Sequence, residues 1–377
     1  IVAVLDEGDD ELLAQTGLTQ PALFTIEYAL SELWRSWGLI PTAVMGHSVG
    51  EFCAAVVAGV LTLEEAAGLI ARRAALMQAL PEGGLMAAVM ASEAWVTQQL
   101  VAHPELSIAA FNGPRNQVIS GPAAAVRACL ACFAREGVAV KELNTSHAFH
   151  SRLMEPILAS LTEYARSLRP RQPILPIIAN LTGDLADAST YSDPEYWARH
   201  AREPVRFSAG CDALANLGAN VFIEIGPQPT LLNMARFCVD RPGNEWLSSL
   251  QVGCEDWPTM LASLARCFVR GFEIDWRAFD APWQRRKTSL PTYPFQREPF
   301  WIESPPPQFA SVCGDDAVGH PLLGGRLRLP RREALFEARL AADHPPLLSE
   351  HRLQGQVVMP AAGLWEMVLA AGRRLGV

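Results

Sequence analysis

The stretch Ala43-Val44-Met45-Gly46-His47-Ser48-Val49-Gly50-Glu51 restricts the fold of this chain more than any other. A short apolar run meets Gly-His-Ser-Val-Gly and continues into the apolar residues 52–58. That order reads as strand, sharp turn and helix. The G-x-S-x-G spacing suits a nucleophile elbow, in which the turn lifts one serine hydroxyl above the end of a sheet. Glycines at 46 and 50 leave room for strand and helix to approach closely. Ser48 then lies at a helix N-terminus, where free N–H groups and the helix dipole favour developing negative charge. A chance G-x-S-x-G in an Ala/Gly-rich chain is the plain alternative, and the motif alone does not separate the two.

The surrounding patterns predict an α/β fold. Apolar residues at Leu23, Ile26, Leu30, Leu33 and Trp37 predict a helix over 21–37, with Pro21 in its first turn and Gly38 ending it. Thr62-Leu63-Glu64-Glu65 has the form of a capping box opening a helix that runs to about Leu80. That helix carries Arg72 and Arg73, which point about 100° apart and need not share a role. Residues 84–143 read as β-α-β-β-α-β, the pattern of a ferredoxin-like split unit. Strands and helices alternate on either side of it, so 1–83 and 144–235 form one large subdomain with a mainly parallel sheet around an insert at 84–143. A strand is expected over 173–180, helix over 195–217 broken at Pro204, and an apolar strand over 220–225. A transitional region follows at 236–314 and a further unit at 315–377. A chain of 377 residues accommodates two or three such domains.

Composition removes several classes of function. The chain is 50% hydrophobic and 19% charged, which fits packed cores rather than disorder. A net charge of -9 with no long basic run gives no electrostatic support for nucleic-acid binding. No apolar run approaches membrane-spanning length. The opening residues have no basic flank and no initiator Met, which argues against a signal peptide and for a piece cut from a longer chain. The eight cysteines are scattered, and Cys129-x-x-Cys132 has no second pair nearby. They read as thiols of a cytoplasmic protein rather than as zinc ligands or disulfides.

His147-Ala148-Phe149-His150 offers two imidazoles three residues apart. As metal ligands they lack a clustered third. As a base, one of them would activate Ser48, because a serine hydroxyl is a weak nucleophile until its proton is removed. A core histidine satisfied by backbone is the plain alternative. Whether His150 reaches Ser48 is a matter of fold, not of spacing.

Taken together, Gly46-His47-Ser48-Val49-Gly50-Glu51, Arg73 ahead of Met77-Gln78, His147-Ala148-Phe149-His150-Ser151 and Glu224-Ile225-Gly226-Pro227 resemble the acyltransferase domain of modular type I polyketide synthases over residues 1–235. The resemblance implies an α/β-hydrolase-like large subdomain with Ser48 as nucleophile and His150 as its base, oriented by backbone. It implies that Arg73 grips the free carboxylate of the extender unit, consistent with the bidentate fit of a planar guanidinium. It implies a backbone oxyanion donor at Val49 and no metal. The substrate would be malonyl-CoA and the acceptor the phosphopantetheine thiol of an acyl carrier protein; no cofactor is bound. The HAFH form resembles the malonyl-selective branch, whereas the methylmalonyl branch shows YASH. Phe149 would crowd the acyl α-carbon, with His147 beside it, and one methyl in a pocket is worth about 1–3 kcal/mol. A complete domain of the family opens with a further strand and a G-Q-G-S-Q-type loop, which the resemblance implies are missing here.

Leu290-Pro291-Thr292-Tyr293-Pro294-Phe295-Gln296-Arg297 resembles the segment that follows polyketide acyltransferases and packs along the preceding ketosynthase region. Ser304-Pro305-Pro306-Pro307 reads as an interdomain linker. His320-Pro321-Leu322-Leu323-Gly324 and the H-x-x-x-G-x-x-x-x-P run from His351 to Pro360 resemble the start of a polyketide dehydratase, a hotdog fold. There His351 would be the base that removes an α-proton. Three rivals stand beside this reading. A fatty acid synthase malonyl/acetyl transferase shares the chemistry. A serine thioesterase would place its histidine last in the order Ser, acid, His. A non-catalytic scaffold would use the domain only for docking.

Overall fold

The computed structural model describes residues 4–5, 8, 10–239, 241–286, 288–301, 319–327, 330 and 333–377. A short helix, α1 (Asp10–Leu13), leads into α2 (Thr16–Ser36). Helix α2 therefore begins at Thr16, and the expected start at Pro21 falls inside it. Tertiary bonds account for the earlier start. The Gly17 N–H donates to Gln78 Oε1 at 3.0 Å, and Thr16 Oγ1 meets Ser146 Oγ at 2.5 Å. At the other end Gly38, with φ of 87°, lets the Leu39 N–H reach the Trp34 carbonyl at 3.2 Å. The Gly38 N–H reaches that of Arg35 at 3.0 Å, which completes a Schellman closure.

Strand β1 (Val44–Met45) precedes the turn, and α3 (Gly50–Val57) follows it. The capping box of α4 (Leu63–Gln78) is formed as expected. The Thr62 hydroxyl accepts from Glu65 N–H at 3.1 Å, and the Glu65 carboxylate accepts from Thr62 N–H at 2.8 Å. Ala66, Leu69, Ile70, Arg73, Ala74 and Met77 make its buried stripe, at the three- and four-residue spacing of one helix face. Arg73 thus points inward while Arg72 is exposed.

The insert comprises β2 (Gly84–Val89), α5 (Glu93–Leu100), β3 (Ser107–Gly113), β4 (Asn116–Pro122), α6 (Ala123–Arg135) and β5 (Val140–Leu143). Its sheet runs β3-β4-β2-β5 with every neighbour antiparallel, as a ferredoxin-like unit requires. Alternation along β2 gives the sheet two apolar faces. Leu85, Ala87 and Val89 pack with Val126, Cys129 and Phe133 of α6, and Met86 packs with Phe207 and Cys211 of the large subdomain. The Phe111 N–H also donates to the Val205 carbonyl at 2.8 Å, tying the insert down.

A 3-10 turn, Arg152–Met154, opens α7 (Glu155–Ala165). Strand β6 (Ile177–Ala179) pairs parallel with β1, and β7 (Asp184–Leu185) pairs antiparallel with β6. Helices α8 (Ala188–Ser192), α9 (Tyr196–Arg202) and α10 (Phe207–Asn216) follow, with Pro204 in the break between the last two. Strand β8 (Val221–Glu224) is joined through α11 (Thr230–Cys238) to β9 (Glu245–Ser248), its parallel partner. Among the described residues the parallel pairing is therefore two short ladders, with one antiparallel strand added.

One compact unit covers residues 1–287 and a second covers 288–377. The first runs well past 235, where the large subdomain was expected to end. Residue 235 lies within α11, and α12 (Asp256–Val269) buries Met260, Leu264 and Cys267 against Trp34, Trp37 and Leu247. A short helix, α13 (Trp276–Asp280), completes this unit. In the second unit residues 288–301 carry no helix or strand. Strands β10 (Gly325–Leu327) and β11 (Leu335–Glu337) pair antiparallel, as do β12 (Arg352–Leu353) and β13 (Gln356–Val357). Helix α14 (Ala361–Leu375) ends the chain. The expected linker at 304–307 lies outside the described residues.

The two elbow glycines are not equivalent. A Cβ at Gly46 would lie 2.1 Å from Glu51 N and from Gly50 C, both backbone atoms that cannot yield. At Gly50 the nearest atoms would be the Glu27 carboxylate oxygens at 3.8 Å, an ordinary contact. The close approach is thus made by Gly46 alone. Gly46→Ala is expected to lower thermal stability sharply, whereas Gly50→Ala changes it by about 1 kcal/mol or less. Thermal melts of the two variants check this, and equal effects would contradict it.

Candidate active site

Ser48 sits between β1 and α3 with φ of 51°, a left-handed conformation that costs a non-glycine residue about 1–3 kcal/mol. Asn180, at the end of β6, holds it there. Its Nδ2 donates to the Gly46 carbonyl at 2.9 Å, and its Oδ1 accepts from the Ser48 N–H at 2.6 Å. The next N–H, that of Val49, donates to none of the described residues and lies at the start of α3. It is therefore available to an oxyanion.

The fold brings His150 to Ser48 across the insert. His150 Nε2 lies 2.8 Å from Ser48 Oγ, and His150 Nδ1 lies 2.9 Å from the Glu203 carbonyl. A carbonyl only accepts, so Nδ1 carries the proton and Nε2 is left to accept from the serine. The orienting group is a backbone carbonyl, supplied by the turn that Pro204 forces after α9. His150 itself has φ of 55°. Burial, followed by the charge of Arg73, holds its imidazole well below the usual histidine range, so it is neutral at neutral pH.

His147 and Phe149 occupy different environments. Both His147 ring nitrogens are committed: Nε2 faces the Leu80 carbonyl at 3.2 Å, and Nδ1 faces Ser146 Oγ at 3.1 Å and Thr16 Oγ1 at 3.3 Å. It is a buried, satisfied residue that supports the loop. Phe149 is half-buried, and its carbonyl accepts from Ser120 Oγ at 2.6 Å. Its ring joins the clusters that contain Met77 and Met86.

Arg73 is 1% exposed and forms none of the ion pairs among the described residues. Its Nη1 donates to Gln20 Oε1 at 2.5 Å, its Nη2 lies 3.4 Å from Ser48 Oγ, and its Nε has no partner among the described residues. Burial pulls its pKa down to about 10, which leaves it cationic at neutral pH. A desolvated cation beside the serine, with donors unspent, is arranged for an anionic group on an incoming molecule.

Sequence reasoning missed the polar residues behind this pair. Glu51 is fully buried. Its Oε1 accepts from Tyr191 at 2.9 Å and from Tyr196, and its Oε2 accepts from the Asn180 N–H at 2.9 Å. His200 Nε2 lies 3.2 Å from the same carboxylate. His47 Nε2 meets Asn112 Oδ1 at 2.8 Å. His47 and Glu51 lie in the quoted elbow motif, but nothing in the sequence singles out Asn112, Asn180, Tyr191, Tyr196 or His200.

In the second unit His351 is exposed, with Nδ1 3.1 Å from the Val358 carbonyl and no hydrogen-bond partner for Nε2 among the described residues. The β12–β13 turn beside it places Gln354 and Gly355 at φ of 51° and 81°. His320 Nε2 lies 3.2 Å from Glu366 Oε1. Among the described residues there is no group of three or more His, Cys, Asp or Glu able to hold a metal ion. No helix of the described residues is long and apolar enough to cross a membrane.

A histidine-backed serine on an elbow, in an α/β domain with a ferredoxin-like insert, is the layout of an acyltransferase. The profile of the acyl transferase domain matches residues 1–271, and that of the polyketide synthase dehydratase domain matches residues 320–377. The chain belongs to the acyltransferase domain family of modular type I polyketide synthases, and the start of a dehydratase domain follows in the same chain. It is similar to polyketide synthase GfsA of Streptomyces halstedii, 37% identical over 100% of this chain and 5% of that protein. The acyltransferase domain from the second module of the salinomycin polyketide synthase superposes with a TM-score of 0.72 at 42% identity, covering 76% of this chain and 68% of that one. FabD from Acinetobacter baumannii superposes with a TM-score of 0.64 at 27% identity, covering 71% of this chain and 85% of that one. The chain thus spans a small part of its curated relatives, 5% of GfsA and 7% of GfsB.

The charges around His150 give a pH prediction. Because its pKa is lowered, reactivity of Ser48 persists through the ordinary histidine range and falls only at more acid pH. Removing the Arg73 charge lets that pKa rise, so Arg73→Ala moves the acid limb to higher pH. The rate of Ser48 modification by phenylmethylsulfonyl fluoride against pH reads this in both proteins. Superimposed profiles would contradict it.

Proposed function

We propose that this domain takes a malonyl group from malonyl-CoA onto Ser48 and passes it to the phosphopantetheine thiol of an acyl carrier protein. One observation carries the reading: a buried guanidinium, in none of the ion pairs among the described residues, stands 3.4 Å from a serine whose hydroxyl is 2.8 Å from a neutral imidazole. The malonyl carboxylate is the anion that Arg73 lacks. With it bound there, the thioester carbonyl presents its carbon to Ser48 Oγ. As the C–O bond forms, the serine proton moves to His150 Nε2, and the oxyanion takes the Val49 N–H. The carbon–sulfur bond then breaks, and the departing CoA sulfur takes the proton from His150. The carrier thiol reverses these steps, giving its proton to His150 and freeing Ser48.

FabD shares the α/β fold, so a fatty-acid transferase is the nearest rival. The dehydratase match at residues 320–377 favours the polyketide setting. A thioesterase is disfavoured by the buried cation, which a neutral ester would leave unpaired. In the same polypeptide a ketosynthase would precede this domain, with residues 290–301 packed along it. His351 would serve as dehydratase base through its Nε2. Phe149 is the residue proposed to limit bulk at the acyl α-carbon, with His147 acting on it from behind.

Arg73→Ala is expected to lower kcat/KM for malonyl-CoA by about two orders of magnitude, the usual cost of stripping a buried charge of its partner. Acetyl-CoA, with no carboxylate, should change far less. Equal losses on both thioesters would make Arg73 structural and remove the reading.

Extender choice is tested by combining Phe149→Ser with His147→Tyr. Competition between malonyl-CoA and methylmalonyl-CoA should shift toward the methylated unit by about 1–3 kcal/mol at most. An unchanged ratio in a folded double variant would show that these residues do not set selectivity.

A further inference from the structure

Gln20 lies on the buried face of α2, one turn beyond Thr16, and is 5% exposed. Both ends of its amide are spent on α4. Oε1 accepts from Arg73 Nη1 at 2.5 Å, and Nε2 donates to Met77 Sδ at 3.3 Å. A guanidinium only donates, so the oxygen must be the atom that faces it. The amide nitrogen is then left with a thioether, a weak acceptor. Its orientation is dictated by the arginine rather than by its own best bonding.

The choice of residue type matters as much as the contact. A carboxylate in this place would fix the guanidinium and also neutralise it. A neutral amide fixes it and leaves the charge whole. With Nη1 held by Gln20, Nη2 is the nitrogen turned toward Ser48 Oγ at 3.4 Å. One turn earlier on the same helix, Thr16 reaches Ser146 and His147.

We propose that Gln20 is a positioning residue that aims the Arg73 guanidinium at Ser48 while leaving its charge uncompensated, so that the carboxylate of the incoming acyl group supplies the counter-charge. This rests on the malonyl reading above and makes the neutrality of residue 20 a determinant of substrate class. With a neutral amide there the site favours acyl groups bearing a free carboxylate. With an acid there it closes its own ion pair and accepts simple acyl groups equally well.

The test compares Gln20→Glu, Gln20→Met and Arg73→Ala with the parent in the full-length protein, measuring kcat and KM for malonyl-CoA and acetyl-CoA. Gln20→Glu keeps size and the bond to Nη1 but adds charge. It should lower malonyl kcat/KM by about tenfold or more, mainly through KM, and leave acetyl kcat/KM within about twofold. Gln20→Met keeps the volume but loses the bond, and should also lower malonyl transfer selectively. It serves as the readout should Gln20→Glu fold poorly. A loss shared equally by both thioesters, or no loss, in a folded Gln20 variant would overturn the proposal. The Arg73→Ala arm separates the two levels. If it is selective for malonyl and the Gln20 variants are not, the Gln20 proposal alone fails. If it is not selective, the malonyl reading fails and the Gln20 proposal with it.

Discussion

The site depends on one buried carboxylate. Taking Glu51 out of water costs several kcal/mol unless its oxygens are fully met. Here two phenol hydroxyls, the Asn180 N–H and His200 surround it. The two hydroxyls and the N–H come from segments far apart in sequence, and Tyr191 and Tyr196 also pack in the core cluster that holds Phe52 and Ala179. Glu51 itself belongs to the first turn of α3, next to the serine. Asn180 ends β6 and clamps the elbow from the opposite side. Tyr196 and His200 belong to α9, whose following residue Glu203 offers the carbonyl that orients His150. Meeting the Glu51 oxygens therefore ties the elbow that carries Ser48 to the helix whose end orients His150.

This arrangement also explains how the site manages without a carboxylate behind its histidine. A carboxylate partner would raise the imidazole pKa, whereas a backbone carbonyl fixes the same tautomer with a smaller effect. Burial and the Arg73 charge then push the other way, and the base stays neutral. Among the described residues, the charge facing the serine is the Arg73 guanidinium. Under the proposed function, binding an anionic acyl group and keeping His150 unprotonated are two consequences of the same cation.

Legibility in the sequence followed the range of the interaction. The elbow was readable because strand, Gly46, serine and helix are contiguous, and the capping box at Thr62 because it closes within three residues. The insert was readable because short apolar strands alternate with helical stretches in the order β-α-β-β-α-β. Ser48 was read from the elbow itself, whereas the roles of His150 and Arg73 came through a resemblance of whole motifs; periodicity alone said only that Arg72 and Arg73 differ. Gln20, Asn180, Asn112 and His200 were not readable, since each acts through a partner 53 or more positions away. Gly50 was over-read, because G-x-S-x-G does not say which glycine meets backbone. The packing of α12 was not readable for a related reason: its apolar face finds its match in Trp34 and Trp37, more than two hundred residues earlier.

The central claim is that Ser48 carries the acyl group between donor and carrier. Mass spectrometry of the full-length protein after brief exposure to malonyl-CoA tests it most directly. The account predicts one malonyl group, mapped to the peptide containing Ser48, lost on addition of phosphopantetheinylated carrier protein and absent from Ser48→Ala. A malonyl adduct that persists in Ser48→Ala, or carrier loading by that variant at the parent rate, would contradict it.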